Sequence, residues 1–156
     1  MGKSSIHISA AKTGSEEHNL REKELEYIRK DLTHKNSKFY RESITKTLAE
    51  CKEIYLEKVG QKMQEKAAPI REAVLLVEPH HTIADLEKVA DNLDKKFGIH
   101  TIQGYIHQDE GHWHGKDWKP NLHAHLVFDW QNKETGRSIK LSKEDLSEMQ
   151  TLVAND

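Results

Sequence analysis

Asn121-Leu122-His123-Ala124-His125-Leu126-Val127-Phe128 alternates polar and apolar residues and then runs apolar toward Trp130, the pattern of a strand with one face in a core. Successive side chains of a strand point to opposite faces. Leu122, Ala124 and Leu126 therefore supply core, while His123 and His125 share the other face, roughly 7 Å apart along the chain at ~3.3 Å per residue. Upstream, Ile99 to His107 reads as a second strand, interrupted at Gly104, and it ends on a third histidine. Two imidazoles on one strand and one from its neighbour give a three-nitrogen metal site with open positions, the form catalytic metals need. Asp109 and Glu110 follow His107 and could orient a ligand imidazole, bind the metal or move a proton. A His-x-His pair alone is usually a wet sheet face; the upstream His107-x-Asp-Glu tips the balance. His112 and His114 repeat the spacing among Gly111, Gly115 and Lys116, and read as mobile loop surface rather than ligands.

Working outward, Ile6 to Ala10 alternates as a short strand. Arg41 to Lys66 carries Ile44, Leu48, Cys51, Ile54 (or Tyr55) and Met63 at helical steps, with Pro69 marking the helix end. Arg71 to Val77 is a buried strand closed by Pro79. Thr82 caps a helix that runs to Phe97, with Ile83, Leu86, Val89, Ala90 and Leu93 on one face and Gly98 after its end. A loop rich in His, Trp, Gly and Lys fills 108 to 120. Asn132 to Gly136 turns into a short strand, Arg137 to Leu141, and Ser142 with Glu144 and Asp145 opens a last helix. This order predicts an α+β fold, a mainly antiparallel β-sheet with flanking helices.

The 156 residues suit one domain, residues 1–156, expected to be the N-terminal part of a longer protein. Charged residues make up 32% and net charge is -2, so no global basic field exists and a nucleic-acid partner would need a local patch or a metal. The single cysteine, Cys51, excludes a disulfide framework and a Cys/His zinc site. No signal peptide and no membrane segment is apparent, and a cytoplasmic protein is the plain reading.

His107-x-Asp109-Glu110, a proline, then His123-x-His125 resembles the third motif of MobV-type plasmid and transposon mobilisation relaxases, members of the HUH endonuclease superfamily. His18-Asn19-Leu20-Arg21 resembles the first motif of that family, and the two occur in the family's order with the 73–77 strand between them. The resemblance implies an HUH-relaxase-like fold and single-stranded or supercoiled DNA at an origin of transfer as partner. It also implies a divalent cation on His107, His123 and His125, with Mn2+ or Mg2+ favoured and Zn2+ a third option. The catalytic positions it implies are His18 as nucleophile, Asn19 and Arg21 as support, and Glu110 in proton transfer or coordination. Asn36 matches a later asparagine of the first motif. Tyr27 stays open as the competing nucleophile, because most of the superfamily uses tyrosine. Accessory mobilisation or coupling proteins could join as further partners.

One departure stands out. Residues 111–122 form a longer segment than the family carries, displacing Pro120; the metal geometry survives if this insertion bulges out as a hairpin. DNA contacts are expected from Arg21, Arg29, Lys30, Lys35 and Asn36, with Lys23, Lys38 and Arg41 in the same segment. Trp113 and Trp118 either stack on unpaired bases or close the loop on the domain. The expected function is metal-dependent, site- and strand-specific DNA nicking and strand transfer through a covalent protein–5′-phosphate intermediate. Two alternatives stand beside it: a metal-dependent phosphoester hydrolase using activated water, and a DNA-binding domain with a structural metal.

Overall fold

The computed structural model describes residues 6–11, 16, 19–20 and 29–155. His18, Arg21, Lys23 and Tyr27 lie outside the described residues, as does the side chain of Lys30. Among the described residues the elements run β1 (Ile6–Ala10), a 3-10 turn (Lys30–Lys35), β2 (Ser37–Tyr40), α1 (Ile44–Val59) and β3 (Ile70–Leu76). They continue with α2 (Ile83–Phe97), β4 (His100–His107), β5 (Gly111–His114), β6 (Asp117–Pro120), β7 (His123–Asp129) and α3 (Lys143–Asn155).

Five strands form one antiparallel sheet in the order β1-β3-β7-β4-β2, and β5 and β6 form a separate hairpin. The architecture is the expected α+β fold. β7, the strand of the histidine pair, lies at the centre between β3 and β4. Its alternation sorts the two faces. Ala124, Leu126 and Phe128 join Ala73, Leu75 and Ile106 under Leu86, Val89 and Leu93 of α2 and Met149 and Val153 of α3. On the opposite face Val127, Ile70, Ile102 and Tyr105 pack with Cys51 of α1, with Ile44 and Leu48 partly buried beside them. Each fully buried Leu, Ile or Phe here contributes about 1.5–3 kcal/mol.

Local chemistry sets the ends. Thr82 and Asp85 form a reciprocal capping box at the start of α2, and Gly98 (φ 71°) ends it in the left-handed region. At α3, Ser142 and Asp145 exchange the same pair of bonds. The side-chain amide of Gln150 on α3 accepts from the N–H of Ile6 at 3.0 Å and donates to its C=O at 2.8 Å, fastening α3 to β1. No described helix is long and apolar enough to cross a membrane.

Four expectations need correction. Helix α1 stops at Val59 rather than continuing to Lys66, because Gly60 adopts φ 80° and its N–H closes on Leu56. Gly104 does not interrupt β4; a Cβ there would lie 2.1 Å from the Phe39 ring, so the glycine admits that ring to the core while the strand runs through. The segment after Glu110 is no open loop but the hairpin on which the insertion's fit depended, turning at Gly115 (φ 65°) and Lys116, and His112 and His114 sit on its first strand. Among the described residues 137–141 form no strand, and their ladder contact there is an isolated bridge between Gln131 and Ser138.

Candidate metal centre

Strand register brings the three histidines together. His107 at the end of β4 is the cross-strand partner of His123, and His125, two residues on, pairs with Tyr105. The ring centroids of His107, His123 and His125 are 4.8–5.4 Å apart. Glu110, three residues past His107, turns back so that its Oε2 lies 3.0 Å from His107 Nδ1 and 2.8 Å from His123 Nε2. One donor atom from each of His107, Glu110, His123 and His125 falls within 4.8 Å of all the others. His107 is fully buried and Glu110 and His123 nearly so.

The far nitrogen of each ring is tied down. His107 Nε2 donates to the Asn19 carbonyl at 3.2 Å, and His123 Nδ1 donates to the Asn121 carbonyl at 2.8 Å. His125 Nδ1 donates to Glu72 Oε1 at 2.8 Å. These partners assign the proton to the outer nitrogen of every ring. With no second proton on these rings, the lone pairs of His107 Nδ1, His123 Nε2 and His125 Nε2 would be directed inward together with a carboxylate oxygen. Converging electron pairs repel unless a positive charge lies among them, and His125 Nε2 is buried without a hydrogen-bond partner. Three imidazoles with pinned second nitrogens and one carboxylate therefore fit a divalent cation, in the manner of histidine ligands oriented by outer acceptors.

Glu72 is the residue beside the cluster that sequence reasoning missed. It bonds His125 and also accepts from Asn19 Nδ2 at 3.1 Å. Its signal was a lone carboxylate in the strand Ile70–Leu76, on the face shared with the histidine pair. Asp109 is fully buried beside the cluster, and its carbonyl accepts from the N–H of Arg29 at 2.7 Å. Asn36 is brought to the same region, where its Oδ1 accepts from the Gln108 N–H at 2.7 Å.

The other expected residues divide. Lys35 is exposed on the 3-10 turn. The Arg29 guanidinium pairs with Asp31 and lies 5.1 Å and 5.4 Å from the Trp113 and Trp118 rings. Those tryptophans face each other across the hairpin at 5.2 Å, with Trp113 56% exposed. Arg41 instead braces the scaffold, bonding the Thr101 carbonyl and Asp91 and lying over Phe39. His112 and His114 are exposed and outside the four-residue donor set.

No protein-family model and no curated protein matches the sequence. Solved structures do match: relaxase domains of MobM (MOBV; Mob_Pre) bound to origin-of-transfer DNA of plasmid pMV158, crystallised with manganese at pH 5.5, 4.6 and 6.8. The TM-scores are 0.67–0.68 at 12–14% identity, over 95% of this chain and 81–82% of theirs. At that identity the likeness is one of fold, and the fold is that of MobV-type relaxase domains.

Proposed function

We propose that this chain nicks one DNA strand at an origin of transfer and holds the cleaved 5′ end covalently, in mobilisation of a plasmid or transposon. The observation that carries the reading is the convergence of three outward-pinned imidazoles and one carboxylate on the sheet face of a relaxase fold. His107 Nδ1, His123 Nε2, His125 Nε2 and Glu110 would hold the ion, Mn2+ by analogy with the manganese-bound structures and Mg2+ or Zn2+ as competitors. When bound, it polarises a non-bridging phosphate oxygen and steadies the developing charge.

The chain's own groups do the rest. His18 is the nucleophile in this reading: a ring nitrogen attacks phosphorus, an N–P bond forms, and the P–O3′ bond breaks. The imidazole gives up its proton to solvent, and the 3′ oxygen takes one up and leaves as hydroxyl. The N–P bond keeps the step reversible, as strand transfer requires. Support comes from the neighbour of His18 in sequence, Asn19, which is buried and whose carbonyl holds His107. Arg21 supplies positive charge to the phosphate. Glu110 completes the donor set rather than moving a proton, because its Oε2 is already within 3.0 Å of two ring nitrogens.

Intact-protein mass after incubation with Mn2+ and single-stranded origin DNA, under mildly alkaline conditions that spare a phosphoramidate, tests this. A gain equal to the 5′ fragment, mapped to His18 and absent from His18→Ala, is expected. An adduct on Tyr27 would keep the function and change the nucleophile. Cleavage without any adduct would favour the water-activating hydrolase, and metal binding without cleavage a structural metal in a DNA-binding domain.

A further inference from the structure

The β5–β6 hairpin begins at one member of the metal-facing donor set and ends beside another. Glu110 is its entry, and Asn121, two residues before His123, is its exit. The backbone of Asn121 touches both donors. Its N–H donates to the Glu110 carbonyl at 2.9 Å, and its own carbonyl accepts from His123 Nδ1 at 2.8 Å. On the entry side the Arg29 N–H holds the Asp109 carbonyl at 2.7 Å. Gly111, the residue after Glu110, is covered where a side chain would be: a Cβ there would collide with the Lys119 carbonyl oxygen and lie 2.8 Å from Trp118 Cζ2. The Trp118 indole is seated rather than presented, with its nitrogen shielded from solvent and the Arg29 guanidinium 5.4 Å from the ring. Trp113, its partner across the hairpin, is the exposed member of the pair.

We propose that the hairpin is a positioning element of the metal centre, in which Trp118, seated on Gly111, holds Glu110 in the donor set and so raises affinity for the ion. The inference rests on the metal centre of the reading above and gives the inserted hairpin a part in it. A connection without order of its own would let the Glu110 carboxylate swing out to water, where a charged group is better solvated. Instead Glu110 is 6% exposed, with Oε2 fixed 3.0 Å from His107 Nδ1 and 2.8 Å from His123 Nε2. The ring on Gly111 and the bond from Asn121 close the hairpin's root on either side of that carboxylate. Coupling between two equilibria is reciprocal, so the bound ion must in turn hold the hairpin shut.

Calorimetric titration of the whole chain with Mn2+ tests the forward direction. Trp118→Ala should lower affinity on the order of tenfold, the low end for partners that orient a metal ligand. Trp118→Phe keeps a ring on Gly111 and should bind like wild type. In a Glu110→Ala background, Trp118→Ala should cost no more than about twofold further, because the group it positions is gone. Equal losses with and without Glu110 would reduce Trp118 to general packing and overturn the inference, as would wild-type affinity in Trp118→Ala. Hydrogen exchange on the wild type tests the reverse direction. Saturating Mn2+ should slow amide exchange across 111–121 by about the same factor, and Glu110→Ala should lose that protection while its three histidines still take the ion. Exchange there that ignores bound Mn2+ would overturn the hairpin's role even if Trp118→Ala fails to fold. A wild type that takes up no Mn2+ sinks the metal centre itself; one that binds the ion with an indifferent hairpin sinks this inference alone.

Discussion

Glu72 accepts from His125 Nδ1 and from Asn19 Nδ2, so one carboxylate sets both a metal-facing ring and the segment of the first motif. Glu72→Ala should lower Mn2+ affinity about 10- to 100-fold while leaving all four donors in place, by analogy with other outer-shell partners. Calorimetric titration giving wild-type affinity would show that His125 needs no such support. Cys51 is a second residue with a readable outcome. It is fully buried, and burial, then the Asp129 charge, pushes its thiol up from 9.0 to about 11. A thiol reagent at pH 8 should therefore label Cys51 only after denaturant is added. Between about pH 9 and 11 the unfolded chain binds fewer protons than the native one, so this residue's contribution to stability falls as pH rises. The stability gap between wild type and Cys51→Ala, followed by urea melts, should narrow over that window. The three histidines were legible because period-two alternation and a strand end are local facts. The Glu72–His125 contact was not, since it depends on how β3 registers against β7, and nothing local to either strand fixes that.

Helix α2 was readable to both ends because cap, apolar stripe and terminal glycine agree there. Thr82→Ala removes the acceptor of the Asp85 N–H and should cost about 1 kcal/mol in a urea melt. Helix α1 was overread because Met63 continues the apolar rhythm past Gly60; a left-handed cap outranks one apolar residue. Gly104→Ala would drive a methyl into the Phe39 ring, at a cost of about 1–3 kcal/mol if the core cannot shift. The β5–β6 hairpin is the element the family resemblance did not supply. It leaves the sheet directly after Glu110 and returns just before His123, holding two tryptophans beside Arg29. With Trp113 so exposed, Trp113→Ala should weaken single-strand binding by about tenfold, a value within the range for one base–aromatic stack. An unchanged anisotropy titration would reduce the ring to a brace for Arg29.

The sheet class followed from alternating strands and short connections, but the order β1-β3-β7-β4-β2 did not, because it is set by long-range pairing. The whole molecule should respond to the ion. A cation that binds the native donor set and not the unfolded chain stabilises by about 2.7 kcal/mol at a hundredfold excess over Kd. Mn2+ should accordingly raise Tm, a chelator should return it, and His125→Ala should lose most of the shift. A Tm indifferent to Mn2+ would argue against the centre altogether. The bond pair between Gln150 and Ile6 joins residues 144 positions apart. On the ribosome, at roughly 5–20 residues per second, the first strand waits about 7 to 30 s for the side chain that fastens it. Until then its outer backbone groups are open to a neighbouring nascent chain. For Ile6 that exposure ends when a single glutamine arrives, near the close of the domain's own synthesis.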